Sequence, residues 1–305
     1  MTTNPTRCRR LRLAGACAMT LALAAGAIAL PAAPAHAADP ITAADQSYFT
    51  YYHLDQARAK GYTGKGVTIA LIDGEVDTTV PELAGATIID KSPCTVTSSP
   101  FSKTHGTAIA SLLVSKTYGV APDATLLTYR TRFEDEGEDA AAGCAVRNGN
   151  GIEENNSLIN RAISDGAQII SISSSDKDFD EATKWTIARA NARGVIVVTA
   201  MGNTAKDETD TGLAKWSGVV GVGAIDTTGN VAPYSSSGQG TTTAAVGGPI
   251  IVRNYETGNK ATTDGTSYST PLIAGFLALA KQKWPNATNN QLLQLLTKTA
   301  LNNEG

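Results

Sequence analysis

Read by its hydrophobic and polar positions, the chain alternates short apolar runs with amphipathic ones. "GKGVTIALIDG" (64–74) is apolar nearly throughout and ends in a glycine turn, which predicts a strand buried on both faces. "ATLLTYRT" (124–131), "QIISIS" (168–173), "VIVVTA" (195–200) and "VVGVGA" (219–224) predict further strands, the last two too short and Val-rich to be helices. "HGTAIASLLVSK" (105–116), "NSLINRAISDGA" (156–167) and "DEATKWTIARANARG" (180–194) predict helices between them. The third has its acids first and Arg193–Gly194 last, in keeping with the helix macrodipole. "STPLIAGFLALAKQKW" (269–284) and "NNQLLQLLTKTA" (289–300) predict two closing helices. Strands apolar on both faces, alternating with helices, predict an α/β fold in three layers, a mostly parallel sheet covered by helices on each side.

Such a sheet binds its ligand outside the carboxyl ends of its strands. Polar residues follow three predicted strands at that edge: Asp73, Ser173–Ser175 and Gly202–Asn203. The pattern points to one site.

Composition narrows what that site can do. The 305 residues and 42% hydrophobic content suffice for one large domain or at most two. Residues 1–37 differ from the rest. Arg7, Arg9, Arg10 and Arg12 precede an Ala/Leu-rich run and a small-residue cleavage site ending at Ala37, the layout of a secretory signal peptide. Cleavage after Ala37 predicts a secreted protein with no membrane anchor, a short extension (38–47) and one domain (48–305). It removes four of 25 basic residues and none of 28 acids, so the net charge becomes 21 minus 28, or −7, which argues against nucleic acid as a partner. Cys94 and Cys144 remain, an even pair that in an exported protein suggests one disulfide; two unrelated buried thiols are the alternative. Only His53 and His105 remain, too few and too far apart for a zinc site.

"TTDGTSYSTPLIAGFLALA" (262–280) places Ser267 behind Gly265 and Thr266, just ahead of the long apolar helix, where a serine is usually only a cap. As a nucleophile it would need a base, and the base an orienting carboxylate. His53 lies in an aromatic-rich amphipathic segment and reads as packing or surface; His105, at a turn feeding a helix, is the candidate base. Asp73, at a strand end, is the candidate acid, although a turn aspartate bonding its own backbone looks the same. The order Asp73, His105, Ser267 is that of subtilisin. With "ALIDGEVD", "HGT" (105–107), "VVTAMGN" ending at Asn203, and "GTSYSTP" (265–271), the chain from about residue 47 onward resembles the subtilases, the subtilisin-like serine peptidases.

That resemblance implies a secreted serine endopeptidase acting on polypeptides through an acyl-enzyme. Ser267 would attack, His105 would carry the proton and Asp73 would hold the imidazole. Asn203 would join the Ser267 N–H as oxyanion donor. Ser173, Ser174 and Ser175 on one wall, with Ala200, Met201 and Gly202 on the other, would bind substrate. Several positions depart from the family pattern. Gly74 and Glu75 follow the acid where Ser or Thr and then Gly are usual, with Glu75 read as pointing to solvent, and Ala108 replaces a histidine. The family's prosegment does not fit between Ala37 and the domain, which resembles the mycosin branch tied to bacterial secretion systems and makes their components candidate partners. A catalytically idle scaffold at such a system is the alternative. No cofactor is expected. "DKDFDE" (176–181) begins like a calcium loop but lacks its glycine and terminal Glu, "FEDEGEDAAAGC" (133–144) reads as a solvated loop, and calcium stays an unsupported option with no metal ligands assigned.

Overall fold

The computed structural model describes residues 39–93, 98–131, 133, 155–173, 181–207 and 212–300. They belong to one compact unit, Ala38–Gly305. The signal peptide and both cysteines, Cys94 and Cys144, lie outside the described residues, as do Ser174 and Ser175.

Seven strands form one parallel sheet: β1 (Thr68–Asp73), β2 (Thr87–Asp90), β3 (Thr125–Arg130), β4 (Ile169–Ile172), β5 (Ile196–Ala200), β6 (Val219–Ile225) and β7 (Thr241–Val246), in the order β2-β3-β1-β4-β5-β6-β7. An antiparallel hairpin, β8 (Ile250–Arg253) with β9 (Lys260–Thr263), stands apart. The helices are α1 (Ser47–Tyr51), α2 (Leu54–Ala59), α3 (Pro100–Val114), α4 (Asn155–Ser164), α5 (Glu181–Ala192), α6 (Thr266–Lys283) and α7 (Asn289–Thr299).

Alternation along the strands builds two cores. In β1, Ile69 and Leu71 join the cluster that contains α3 and α6, while Ala70 and Ile72 join the cluster with α4 and α5. By the same alternation Asp73 falls on the α3/α6 face. All three layers expected from the sequence are present.

Two helices begin earlier than the apolar pattern suggests. α3 starts at Pro100, where proline's missing N–H costs nothing, and Ser99 caps it by accepting from the Ser102 N–H at 2.9 Å. α6 starts at Thr266, so Pro271 is its sixth residue. A proline there removes the helical donor to the Ser267 carbonyl. The strands β2 and β7 escape the apolar pattern because they are edges, with mostly exposed or half-exposed residues such as Thr87 and Thr241.

The segment expected as an extension is part of the domain. Ile41 and Gln46 are buried, and the Gln46 amide bonds the Ile251 backbone from both ends. Glu82 accepts from the Ile41 N–H at 3.0 Å and from Arg253 Nη2 at 2.5 Å. Burial opposes ionisation of Glu82, yet the Arg253 guanidinium and these N–H groups hold its carboxyl below the usual range. Among the described residues no helix is long and apolar enough to cross a membrane. Arg253→Met leaves the Glu82 charge buried without its counter-ion, so urea unfolding should show a loss of about 3–5 kcal/mol.

Candidate active site

β1 delivers Asp73 to the carboxyl end of the sheet, where it is only 1% exposed. α3 delivers His105, 6% exposed, and Nδ1 of the imidazole lies 2.7 Å from Asp73 Oδ1. The same oxygen accepts from the Gly74 N–H at 2.7 Å, whereas Oδ2 is buried with no hydrogen-bond partner among the described residues.

Two glycines make the pairing sterically feasible. A Cβ on Gly106 would lie 2.5 Å from the Gly74 carbonyl oxygen, and one on Gly74 would lie 2.2 Å from the Ser102 carbonyl oxygen. The helix backbone therefore rests directly on the loop after Asp73. Thr107 fastens it, its hydroxyl accepting from the Asp77 N–H at 3.0 Å. Lys103 adds ion pairs to Glu75 at 3.5 Å and Asp77 at 3.3 Å. Glu75, expected to face solvent, is instead engaged by Lys103 and by the Ser98 hydroxyl. The departures at 74 and 75 thus have a physical reason: position 74 has no room for a side chain, and position 75 reaches back to α3.

α6 presents Ser267 in its first turn, whose N–H groups have no acceptor within the helix. The Ser267 hydroxyl, half-buried, donates to the Ser173 carbonyl at 2.9 Å, while the imidazole of His105 bonds only Asp73 among the described residues. Gly265 precedes the helix at φ 149°, and a Cβ there would press on Asn203 Nδ2 at 3.1 Å. Asn203 is fixed at its other end: Oδ1 accepts from the Thr266 N–H at 2.8 Å and from the Thr266 hydroxyl at 3.0 Å. Its amide NH2 is left to donate, next to the start of the Ser267 helix.

Aromatic rings surround the imidazole. Tyr268 and Phe133 lie 5.6 and 5.2 Å from it between ring centroids, and Phe101, one helical turn before His105, lies 6.1 Å away. Tyr268 is buried, and burial, with the Asp73 charge nearby, pushes its phenol up to about 12. Phe101 is 58% exposed. Of the residues expected to bind substrate, Ser173 is buried at the end of β4, and Ala200 and Met201 are buried at the end of β5. Met201 fills the space beside Gly221, whose Cβ would meet its sulfur at 2.7 Å. His53 is exposed, in a left-handed conformation at the start of α2. No cluster of His, Cys, Asp or Glu among the described residues could hold a metal ion.

Residues 64–305 match the model of the subtilase family, and the chain belongs to it. It is 31% identical over 260 residues to a thermostable alkaline protease of Halalkalibacterium halodurans, covering 82% of this chain and 66% of the relative. It is 28% identical over 267 residues to subtilisin E of Bacillus subtilis, covering 82% and 65%. The chain thus spans about two thirds of the length of these relatives. Similar solved structures include a mutant of the protease domain of PatA (TM-score 0.65, 24% identity, 78% of this chain and 88% of that one). A cold-adapted subtilisin-like serine proteinase gives a TM-score of 0.62 at 24% identity, covering 79% and 84%. At that identity they speak for the fold.

The acid loop also carries a pH dependence. Burial opposes ionisation of Asp77, but the Thr79 hydroxyl and N–H, the Tyr255 hydroxyl and Lys103 hold its carboxyl down at about 2. A carboxylate depressed in the folded state contributes stability that is complete above the unfolded value of 3.8. That contribution is lost as the pH falls from about 4 to about 2, and amounts to no more than about 2 kcal/mol. Unfolding measured across that window should show a smaller acid loss in Asp77→Asn than in the wild type.

Proposed function

We propose that this chain is a serine endopeptidase that cleaves polypeptides through an acyl-enzyme, with Asp73, His105 and Ser267 as its triad. The observation that carries the reading is the buried Asp73–His105 pair at 2.7 Å, with Ser267 in the first turn of α6 next to Tyr268, whose ring lies 5.6 Å from the imidazole, in a chain of the subtilase family. Asp73 fixes the imidazole through Nδ1, so Nε2 is the nitrogen left to receive a proton. The Ser267 hydroxyl rotates from the Ser173 carbonyl to that nitrogen and attacks the scissile carbonyl, and His105 takes its proton. The oxyanion that forms accepts from the Asn203 NH2 and the Ser267 N–H, donors set before the reaction begins. The tetrahedral intermediate collapses as His105 gives the proton to the leaving amine. Water then attacks the acyl-enzyme with His105 again as base, and Ser267 is released.

The reading extends to the whole chain: export through residues 1–37 with cleavage after Ala37, and a Cys94–Cys144 disulfide formed outside the cell. A fluorophosphonate probe should label Ser267 in the purified protein, and Ser267→Ala should lower casein hydrolysis by on the order of a million-fold. A folded protein that takes no label and cleaves nothing would instead be an idle scaffold.

Phe101 supports a statement about substrate. An exposed aromatic ring stacked into the cluster around His105 offers a contact to an apolar side chain next to the scissile bond. Profiling with a peptide library should show a preference for large apolar residues beside the cut. Phe101→Ala should lower kcat/KM about tenfold for those peptides and leave peptides with glycine there nearly unchanged.

A further inference from the structure

We propose that the Ser173 side chain is a positioning group for Asp73, its hydroxyl donating to Asp73 Oδ2 during turnover; the inference rests on the peptidase reading above. Four observations lead there. Asp73 Oδ2 is buried with no hydrogen-bond partner among the described residues, and so is Ser173 Oγ. A carboxylate oxygen shut off from water and left without a donor is costly, and folded proteins leave few such atoms. β1 and β4 pair in parallel register up to Ile72 opposite Ile172, so the next step sets Asp73 opposite Ser173. Ile169 joins the α3/α6 cluster, while Ile170 and Ile172 join the other, which puts the Ser173 side chain on the same face as Asp73. The donation calls for a χ1 rotation of Ser173 toward Oδ2.

Two other positions near Asp73 come into consideration among the described residues. Position 74 supplies only its N–H, already given to Oδ1, because a side chain there would meet the backbone of α3. Ser102 is the competitor: its hydroxyl is buried without a partner and lies 2.7 Å from where a Gly74 Cβ would be. It belongs to α3, however, and abuts position 74 instead of standing beside Asp73 in the sheet. Among the described residues the ionisable groups around the pair are Tyr268 on α6, Arg130 opposite Asp73 on β3, and Lys103, which pairs with both Glu75 and Asp77. Ser173 would then serve both ends of the triad, its carbonyl holding the Ser267 hydroxyl at rest and its side chain steadying the acid.

The test compares the full chain as wild type, Ser173→Ala, Ser173→Thr and Ser102→Ala. Titration of the His105 imidazole is followed by NMR, which reads the site whether or not peptide is cleaved. A hydroxyl on Oδ2 shares the carboxylate's charge, so its removal strengthens the hold on the imidazolium. In Ser173→Ala the titration midpoint should rise by about half to one pH unit, and the acid limb of the kcat/KM profile should move with it. kcat should fall about tenfold with KM nearly unchanged, and Ser173→Thr, which keeps the hydroxyl, should restore both. A Ser173→Ala protein that titrates and turns over like the wild type overturns the proposal. So does a shift produced by Ser102→Ala alone. If Ser173→Ala does not fold, Ser173→Cys, with its weaker donor, should show a smaller shift in the same direction, and no shift counts against the proposal. A wild type that folds but cleaves nothing refutes the peptidase reading, while the NMR titration still decides this one.

Discussion

The geometry of the candidate site depends on how closely the backbone of α3 can lie against the loop after Asp73. Gly74 and Gly106 face each other across that contact, and a methyl group on either would overlap backbone of the other segment. The 2.7 Å separation of His105 and Asp73 is therefore a consequence of packing before it is one of charge. Attraction between an imidazole and a carboxylate acts over several ångströms and does not select a hydrogen-bonded geometry. A rigid contact between two backbones does. Thr107 and Lys103 then prevent sliding, one by accepting the Asp77 N–H and the other by bridging Glu75 and Asp77.

A second rigid element meets the first. α6 is long, apolar and buried for most of its length, so its first turn is held by the whole helix. That turn is organised from outside. The Gly202 N–H donates to the Thr266 hydroxyl at 3.1 Å, and Thr266 donates twice to Asn203 Oδ1. The orientation of the Asn203 amide follows from these bonds, because an oxygen occupied by two donors leaves the nitrogen as the free end. Gly265 is needed twice over, for its backbone angle and for the room it leaves Asn203.

Much of this was legible in the sequence, for reasons that differ by residue. The apolar runs reported the central strands because a strand covered on both faces has no polar positions to obscure it. Asp73, His105, Ser267 and Asn203 were legible as candidates because their neighbours belong to motifs that resemble the family's and stand in its order. The supporting contacts were not. That Gly74 marks a backbone collision, and that Glu75 reaches Lys103, depends on contacts between segments about thirty residues apart in the chain. The edges β2 and β7 and the hairpin β8–β9 carry too few apolar residues to show a period. The start of α3 was readable in principle, since Ser99–Pro100 is a capping pair, but the apolar pattern begins only where the helix turns inward.

Ser173 shows how these constraints combine. In the run "QIISIS", two serines interrupt a stretch of buried isoleucine, and both hydroxyls are buried without partners among the described residues. Burying a hydroxyl among apolar neighbours costs about 1–3 kcal/mol on mutational scales, so propensity alone gives no reason for serine there. The reason lies one strand away. The close approach of α3 denies position 74 a side chain, and with it any hydroxyl that could reach the acid from its own loop. Support for the second carboxylate oxygen can then come from the neighbouring strand, where Ser173 stands one step beyond the Ile72–Ile172 pair. The steric condition that brings His105 to Asp73 thus also dictates where a hydroxyl can stand.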